Sequence, residues 1–252
     1  MLKTRVIPCL LLDGSKLVKT VLFKDPVYIG DPLNAVRIFN TKEVDELVLL
    51  DISATRDGRP PQFDLIGKIA EECQMPLTAG GGIKTLDDIR ELLNVGVEKV
   101  VINTSAVENS EFINQTAETF GSQAIVISID AKRGAKGYEV FTKNGNSATG
   151  LKVEDWARQA EEKGAGEILL NSIDQDGTMA GYDLDLIRQV TNKVNIPVIA
   201  AGGAGKLEDF AKAVQEGGAS AVTAGSFFVF HGRRKAVLIN FPTKREIEAI
   251  FE

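Results

Sequence analysis

The chain repeats itself, and the repeat limits what it can fold into. MPLTAGGGIKTLDDIRELLNVGVEKVVINTSA from Met75 matches IPVIAAGGAGKLEDFAKAVQEGGASAVTAGSF from Ile196. Each copy reads as a short apolar strand, a glycine cluster, an amphipathic helix, a small-residue turn and a second strand. Gly81 and Gly202 correspond, 121 residues apart. A third matching strand opens each half, RVIPCLLL from Arg5 and AIVISIDAK from Ala124. The match fails at one position, where Leu11 stands in one half and Asp130 in the other, 119 residues apart. Two glycine turns of phosphate-binding type suggest a ligand with a phosphate at each end. The missing acid suggests chemistry different from what such a duplicated scaffold usually performs.

Runs of Val, Ile and Leu predict strands near 5–12, 46–52, 76–79, 98–103, 124–130, 167–171, 197–201 and 220–225. Helical periodicity falls near 32–43, 62–73, 85–95, 108–119, 152–164, 183–193, 207–217 and 243–251. Asp87, Asp88, Glu208 and Asp209 load early helical turns with acid, as the macrodipole favours. Eight strands alternating with eight helices predict an α/β fold, a (β/α)8 TIM barrel with internal half-barrel duplication. We expect one domain over 1–252, with half-barrels of about 1–122 and 123–252. A doubly wound open sheet is the alternative, but duplication fits barrel closure better. Longer connections follow the first strand (13–31) and the fifth (132–150). The second holds YEVFT then NGNSAT, a small hairpin turned on Asn144-Gly145.

A net charge of −6 argues against nucleic acid as a partner. No apolar run approaches the roughly 20 residues that span a bilayer, so no membrane partner is expected. The run in MLKTRVIPCLLLDG is too short for a signal core and reads as a buried first strand, which predicts a cytoplasmic protein. Cys9 and Cys73 lack metal-like spacing and sit in apolar contexts, where core packing is expected. Neither a metal nor another cofactor is expected.

Ligands of parallel barrels bind at the C-terminal ends of the strands. GGGIKT at 80–85, INTSA at 102–106, DQDGT at 174–178, GGAGK at 202–206 and AGSFF at 224–228 lie there. Glycine lets backbone N–H groups approach an anion, and a following helix adds its dipole. Gly82, Asn103 and Thr104 would form one cradle; Gly177, Gly203 and Ser226 would form the other. Simple turn chemistry also needs glycine, but two clusters at duplicated strand ends favour phosphate. Asp130 shares a strand face with Ala124, Val126 and Ser128, and a carboxylate there serves as a general acid or base, or as a loop anchor. Asp51 and Asp176 are strand-end acids with either a structural or a direct role. Lys19 reads as an anion contact or a solvated lysine, and on residue type alone the surface is favoured. His231 has no local catalytic partner and reads as surface. At the opposite strand ends, Arg5, Glu46, Lys99 and Glu167 begin the inward register. Two cations and two anions on a barrel floor should pair, as a structural plug or a functional feature.

IPCL, GDP at 30–32, DELVLLDI, GGGI, KVVINT, FGSQ, IDAKR, TGL, GAGEILLNSID, DGT, GYD and IPVIAAGGAG run in order through nearly the whole chain. Together they resemble the HisF family, the cyclase subunits of imidazole glycerol phosphate synthase. The resemblance implies a (β/α)8 barrel for a ligand with two phosphates, a HisH-like glutaminase at the barrel floor, and ammonia passing through the barrel. It implies an ammonia gate at Arg5, Glu46, Lys99 and Glu167. It implies functional roles for Lys19 and Asp130 as catalytic groups, and for Asn103, Thr104 and Asp176 at the ligand.

Leu11 departs from that pattern, since the cyclases carry an aspartate there that acts with the counterpart of Asp130. Leucine moves no proton, and loss of one such group costs about 10²–10⁴-fold. CLLL, LVKT with FKDP, LLNSID and GSFFVFHG resemble instead a divergent HisF-like branch tied to acetamidino groups on lipopolysaccharide O-antigen sugars. That resemblance implies a phosphorylated or nucleotide-linked small molecule as ligand and a separate amidotransferase as a further partner. The alternatives are an authentic cyclase, a lyase of histidine synthesis with Asp13 as substitute acid, and a non-catalytic ammonia conduit.

Overall fold

The apolar runs close into a ring. The computed structural model describes residues 4–232 and 234–252, so residues 1–3 of the N-terminal stretch lie outside it. In chain order the elements are β1 (Arg5–Asp13), β2 (Lys16–Val21), β3 (Lys24–Gly30), α1 (Pro32–Thr41), β4 (Leu47–Asp51), α2 (Phe63–Glu72), β5 (Leu77–Gly80), α3 (Leu86–Asn94), β6 (Lys99–Ile102), α4 (Thr104–Glu108) and α5 (Glu111–Phe120). There follow β7 (Ile125–Gly134), β8 (Gly137–Thr142), β9 (Ser147–Lys152), α6 (Val153–Glu162), β10 (Glu167–Ser172), α7 (Leu184–Thr191), β11 (Val198–Ala201), α8 (Leu207–Gln215), β12 (Ala221–Ala224), α9 (Ser226–Val229), β13 (Phe230–His231), β14 (Ala236–Val237) and α10 (Lys244–Phe251).

The parallel ring runs β1-β4-β5-β6-β7-β10-β11-β12 and back to β1. This is the eight-stranded (β/α)8 barrel that the alternation predicts, and each of the eight expected strands is present. Parallel strands buried on both faces need apolar side chains on both. Inward, Ile7, Val48, Val101, Val126, Leu169, Ile199 and Ala221 fill the barrel centre. Outward, residues such as Val6, Leu47, Val100 and Ile127 pack under the helices with Phe39, Trp156 and Phe210. Asp88 and Asp209 do more than complement a dipole. Asp88 closes a capping box with Thr85, and Asp209 accepts from the Gly205 and Lys206 N–H groups.

Three local expectations change. The helix expected at 108–119 is α5, which starts three residues later, and a separate short helix, α4, precedes it. The turns at 102–106 and 224–228 start short helices, α4 and α9. The 13–31 connection is an antiparallel hairpin, β2–β3, added to the end of β1. Charged residues and Pro26 hide β3, and its tip is Leu22-Phe23, both at positive φ (53° and 62°) without glycine. The second long connection carries the expected hairpin, β8–β9, turned at 143–146. Among the described residues no helix is long and apolar enough to cross a membrane.

Candidate active site at the barrel mouth

The barrel order places the candidate groups on two crossed diameters. β5–β6 and β11–β12 stand opposite each other in the ring, and so do β1 and β7. The first diameter carries Gly82, Asn103 and Thr104 at one end and Gly203 and Ser226 at the other. The second carries Leu11 and Asp130. All of these, with Lys19, Asp176 and Gly177, line one cavity at the C-terminal ends of the strands.

The two glycine turns are tightly built. Gly82 has φ +79°, and a Cβ there would lie 2.7 Å from the Arg59 carbonyl oxygen. Gly203 has φ +114°, and its Cβ would lie 2.1 Å from the Gly181 carbonyl oxygen. Only glycine fits such backbone approaches. α4 and α9 start beside these turns, and no side chain caps either N-terminus. Their first-turn N–H groups therefore remain available to an anion.

Asp130 is buried on β7, and its Oδ2 accepts from Asn103 Nδ2 at 2.7 Å. Burial, reinforced by the negative charge of Asp176, pushes its carboxyl up to about 7, against the Asn103 hydrogen bond. It therefore gains and loses a proton near neutral pH. Leu11 pairs with Leu50 across the β1–β4 ladder and presents only hydrocarbon. Asp13, two residues on, bonds Arg56 at 3.2 Å on the outer side and is not part of the cavity lining.

Lys19 corrects the surface expectation. It is 5% exposed, and its Nζ donates to the Cys9 carbonyl at 2.6 Å and packs against Gly225. Burial lowers its pKa, opposed by Cys9 and Asp176. Sequence alone misplaced it because β2 reads as part of an open loop; the hairpin folds the lysine inward. Cys9 likewise lines the cavity. Asp176 holds the same hairpin. Its Oδ2 accepts from Thr20 Oγ1 at 3.0 Å, and its carbonyl accepts from the Leu22 N–H at 2.9 Å. Burial raises its pKa. Asp51 is already saturated by the Ser53 and Ala54 N–H groups, the Ser53 hydroxyl, Arg59 and Gln62, so it shapes its loop.

At the other end of the barrel the four charges form a closed alternating ring. Arg5 pairs with both Glu46 and Glu167, and Lys99 lies 3.3 Å from Glu46 and 3.1 Å from Glu167. Thr78 donates to Glu46 Oε1 at 2.7 Å. The pairing expected from charge balance is thus complete. His231 is exposed, as expected.

The family model described as histidine biosynthesis protein matches residues 5–234. The chain belongs to this family. Within it the chain is HisF-like. It is 49% identical to a protein of Leptospira interrogans provisionally named imidazole glycerol phosphate synthase subunit HisF, over the whole of both chains. It is 49% identical to the provisionally named subunit hisF2 of Pseudomonas aeruginosa, over 98% of this chain and 99% of the relative. It is 48% identical to the imidazole glycerol phosphate synthase subunit HisF of Alkaliphilus metalliredigens, over 92% of each.

The HisF-like barrel also brings to its mouth Phe23, Asn144 and Asn171, none of which the sequence by itself assigned to the site. Phe23 and Asn144 come from the two hairpin tips, and Asn171 from β10. Asn171 stands out in sequence as a polar residue on the inward register of an apolar strand, and Asn144 only as a turn residue. The second tip is anchored to the rim, with Asn144 Nδ2 donating to the Ile52 carbonyl and the Lys143 N–H donating to Thr104 Oγ1, and its Gly145 lies against the Phe23 ring of the first.

Proposed function

We propose that this HisF-like barrel is an ammonia-using synthase subunit that works with a HisH-like glutaminase on an acetamido group of a phosphorylated bacterial surface sugar, giving the acetamidino form. The observation that carries the reading is Leu11 facing Asp130 across the mouth. Two-acid cyclisation needs a second proton carrier at Leu11; Asp13, two residues on, is held by Arg56 outside the cavity, and Asp176, which shares the cavity, holds the β2–β3 hairpin through Thr20.

In this reading the opposed glycine turns hold the ligand's phosphate and orient its reacting group under Asp130. Lys19 supplies a buried amine beside Gly225. The floor ring admits ammonia, which crosses the apolar barrel centre as the neutral molecule because an ammonium ion there would pay a large desolvation cost. Asp130 then gives and takes protons near neutrality. A separate amidotransferase activates the amide oxygen with ATP, ammonia adds at the carbonyl carbon, and the oxygen leaves with the group that ATP transferred to it.

The histidine-pathway cyclase is the second reading, favoured by the name of the Alkaliphilus metalliredigens relative. Two experiments decide. The gene should fail to rescue a histidine auxotroph lacking the cyclase subunit. Purified protein supplied with ammonium salt, ATP, its glutaminase and amidotransferase partners and an acetamido-sugar phosphate should yield the acetamidino product by mass spectrometry. Robust rescue would sink the sugar reading. Product formation that is unchanged by Asp130→Asn would reduce the barrel to a conduit.

A further inference from the structure

The wall of the mouth beside Asp130 is built from amides. β7 lies between β6 and β10, and an asparagine faces the cavity from each side, Asn103 just after β6 and Asn171 in β10. Asn103 commits its side-chain N–H to Asp130. Asn171 does not. It stands beside Asp130 in the parallel ladder, in register. Its Oδ1 is buried without a donor, against Gly202, where a Cβ would lie 2.6 Å from that oxygen. Asn171 lines the cavity, and no acceptor among the described residues takes its amide hydrogens.

An uncommitted donor in a cavity wall calls for an acceptor on the ligand. Its surroundings limit the kind. Asp130 is the adjacent residue in the ladder, and Asp176 lines the same cavity. Their charge repels a carboxylate or phosphate oxygen at this spot, and the glycine turns on the other diameter offer phosphate better places. A neutral acceptor such as an amide carbonyl meets no such repulsion.

We propose that Asn171 is the specificity-determining residue for the ligand's carbonyl, donating its side-chain N–H to that oxygen beside Asp130. The assignment rests on the acetamido-sugar reading and names the atom of that substrate that the barrel reads. A site that hydrogen-bonds a ligand group discriminates against analogues lacking it, because its own donor is then left unpaired.

The test compares N-acetylglucosamine 1-phosphate with glucose 1-phosphate, which has a hydroxyl in place of the acetamido group, by calorimetric titration of the full chain. Inorganic phosphate serves as a control for the glycine turns. The wild type should bind the acetamido sugar about 10-fold more tightly. Asn171→Leu should bring the ratio close to one and leave phosphate binding unchanged. Asn171→Ala, which removes the donor without adding bulk or charge, should do the same and covers the case in which the leucine variant does not fold. A wild-type preference that survives both substitutions would overturn the role of Asn171 and leave the acetamido reading standing. Binding of inorganic phosphate with neither sugar phosphate, or equal binding of both, would overturn both.

Discussion

Leu11 and Asp130 occupy equivalent places in the two halves and have opposite chemistry. Wild-type protein should show no appreciable cyclase turnover with ammonium salt and the usual histidine-pathway intermediate. Leu11→Asp should restore a measurable trace, since Asp130 is already opposite and the glycine turns are in place; a rate assay with the purified variant checks this. Robust wild-type turnover would show that another group carries the second proton. Asp130 also makes stability depend on pH. Its carboxyl sits near 7 when folded, against an ordinary value of 3.8. Below both values the folded and unfolded chains hold the proton alike. As pH rises between them only the unfolded chain releases it, so stability falls, and the loss levels off above 7. Asp130→Asn should therefore be more stable than wild type by roughly 2–4 kcal/mol at pH 8. Urea unfolding should show that gap shrinking as the pH approaches 4.

The elements that differ from a bare barrel are the two hairpins, one after β1 and one after β7, at equivalent places in the ring. Their tips meet over the mouth. A Cβ on Gly145 would lie 3.1 Å from the Phe23 ring and 3.3 Å from Ile173, at φ +73°. The backbone at Leu22-Phe23 is sparsely populated for non-glycine residues, and its hydrogen bonds to Asp176 offset the strain. Gly145→Leu should push the tips apart. Hydrogen exchange at 20–24 and 142–147 should speed up about tenfold or more, while the barrel strands keep their protection. Unchanged exchange at the tips would mean that the Phe23–Gly145 contact does not hold the cover closed.

Across the whole molecule, the charged ring on the floor and the cavity at the mouth are separated by the apolar barrel centre. Lys99→Met leaves Arg5 as the one cation of the ring, with Thr78 still donating to Glu46, and both carboxylates are nearly buried. We expect a stability loss of about 1–3 kcal/mol, below the cost of stripping a fully buried pair, because Lys99 and Arg5 are partly exposed. If the ring gates ammonia, the variant should change glutamine-dependent activity more than ammonium-dependent activity in parallel assays. Equal loss with both nitrogen sources would mark the ring as a structural plug.

The barrel was legible because its signals are local and repeated. Strand and helix periodicity, the glycine turns and the duplicated order all lie within short windows, and Arg5, Glu46, Lys99 and Glu167 shared a parity that predicted their convergence. What sequence could not show depends on chain segments far apart meeting in space. Lys19 looked solvated until β2 folded it under the mouth. Asp51 read equally as a loop anchor or a direct contact until Arg59 and Gln62 filled its carboxylate. Phe23, Asn144 and the free amide of Asn171 acquired a place only when hairpins and strands from different parts of the chain closed around one cavity. Residue pattern determined the scaffold and the missing acid; tertiary burial decided which polar groups remain free to act, since only packing sets their partners and their desolvation.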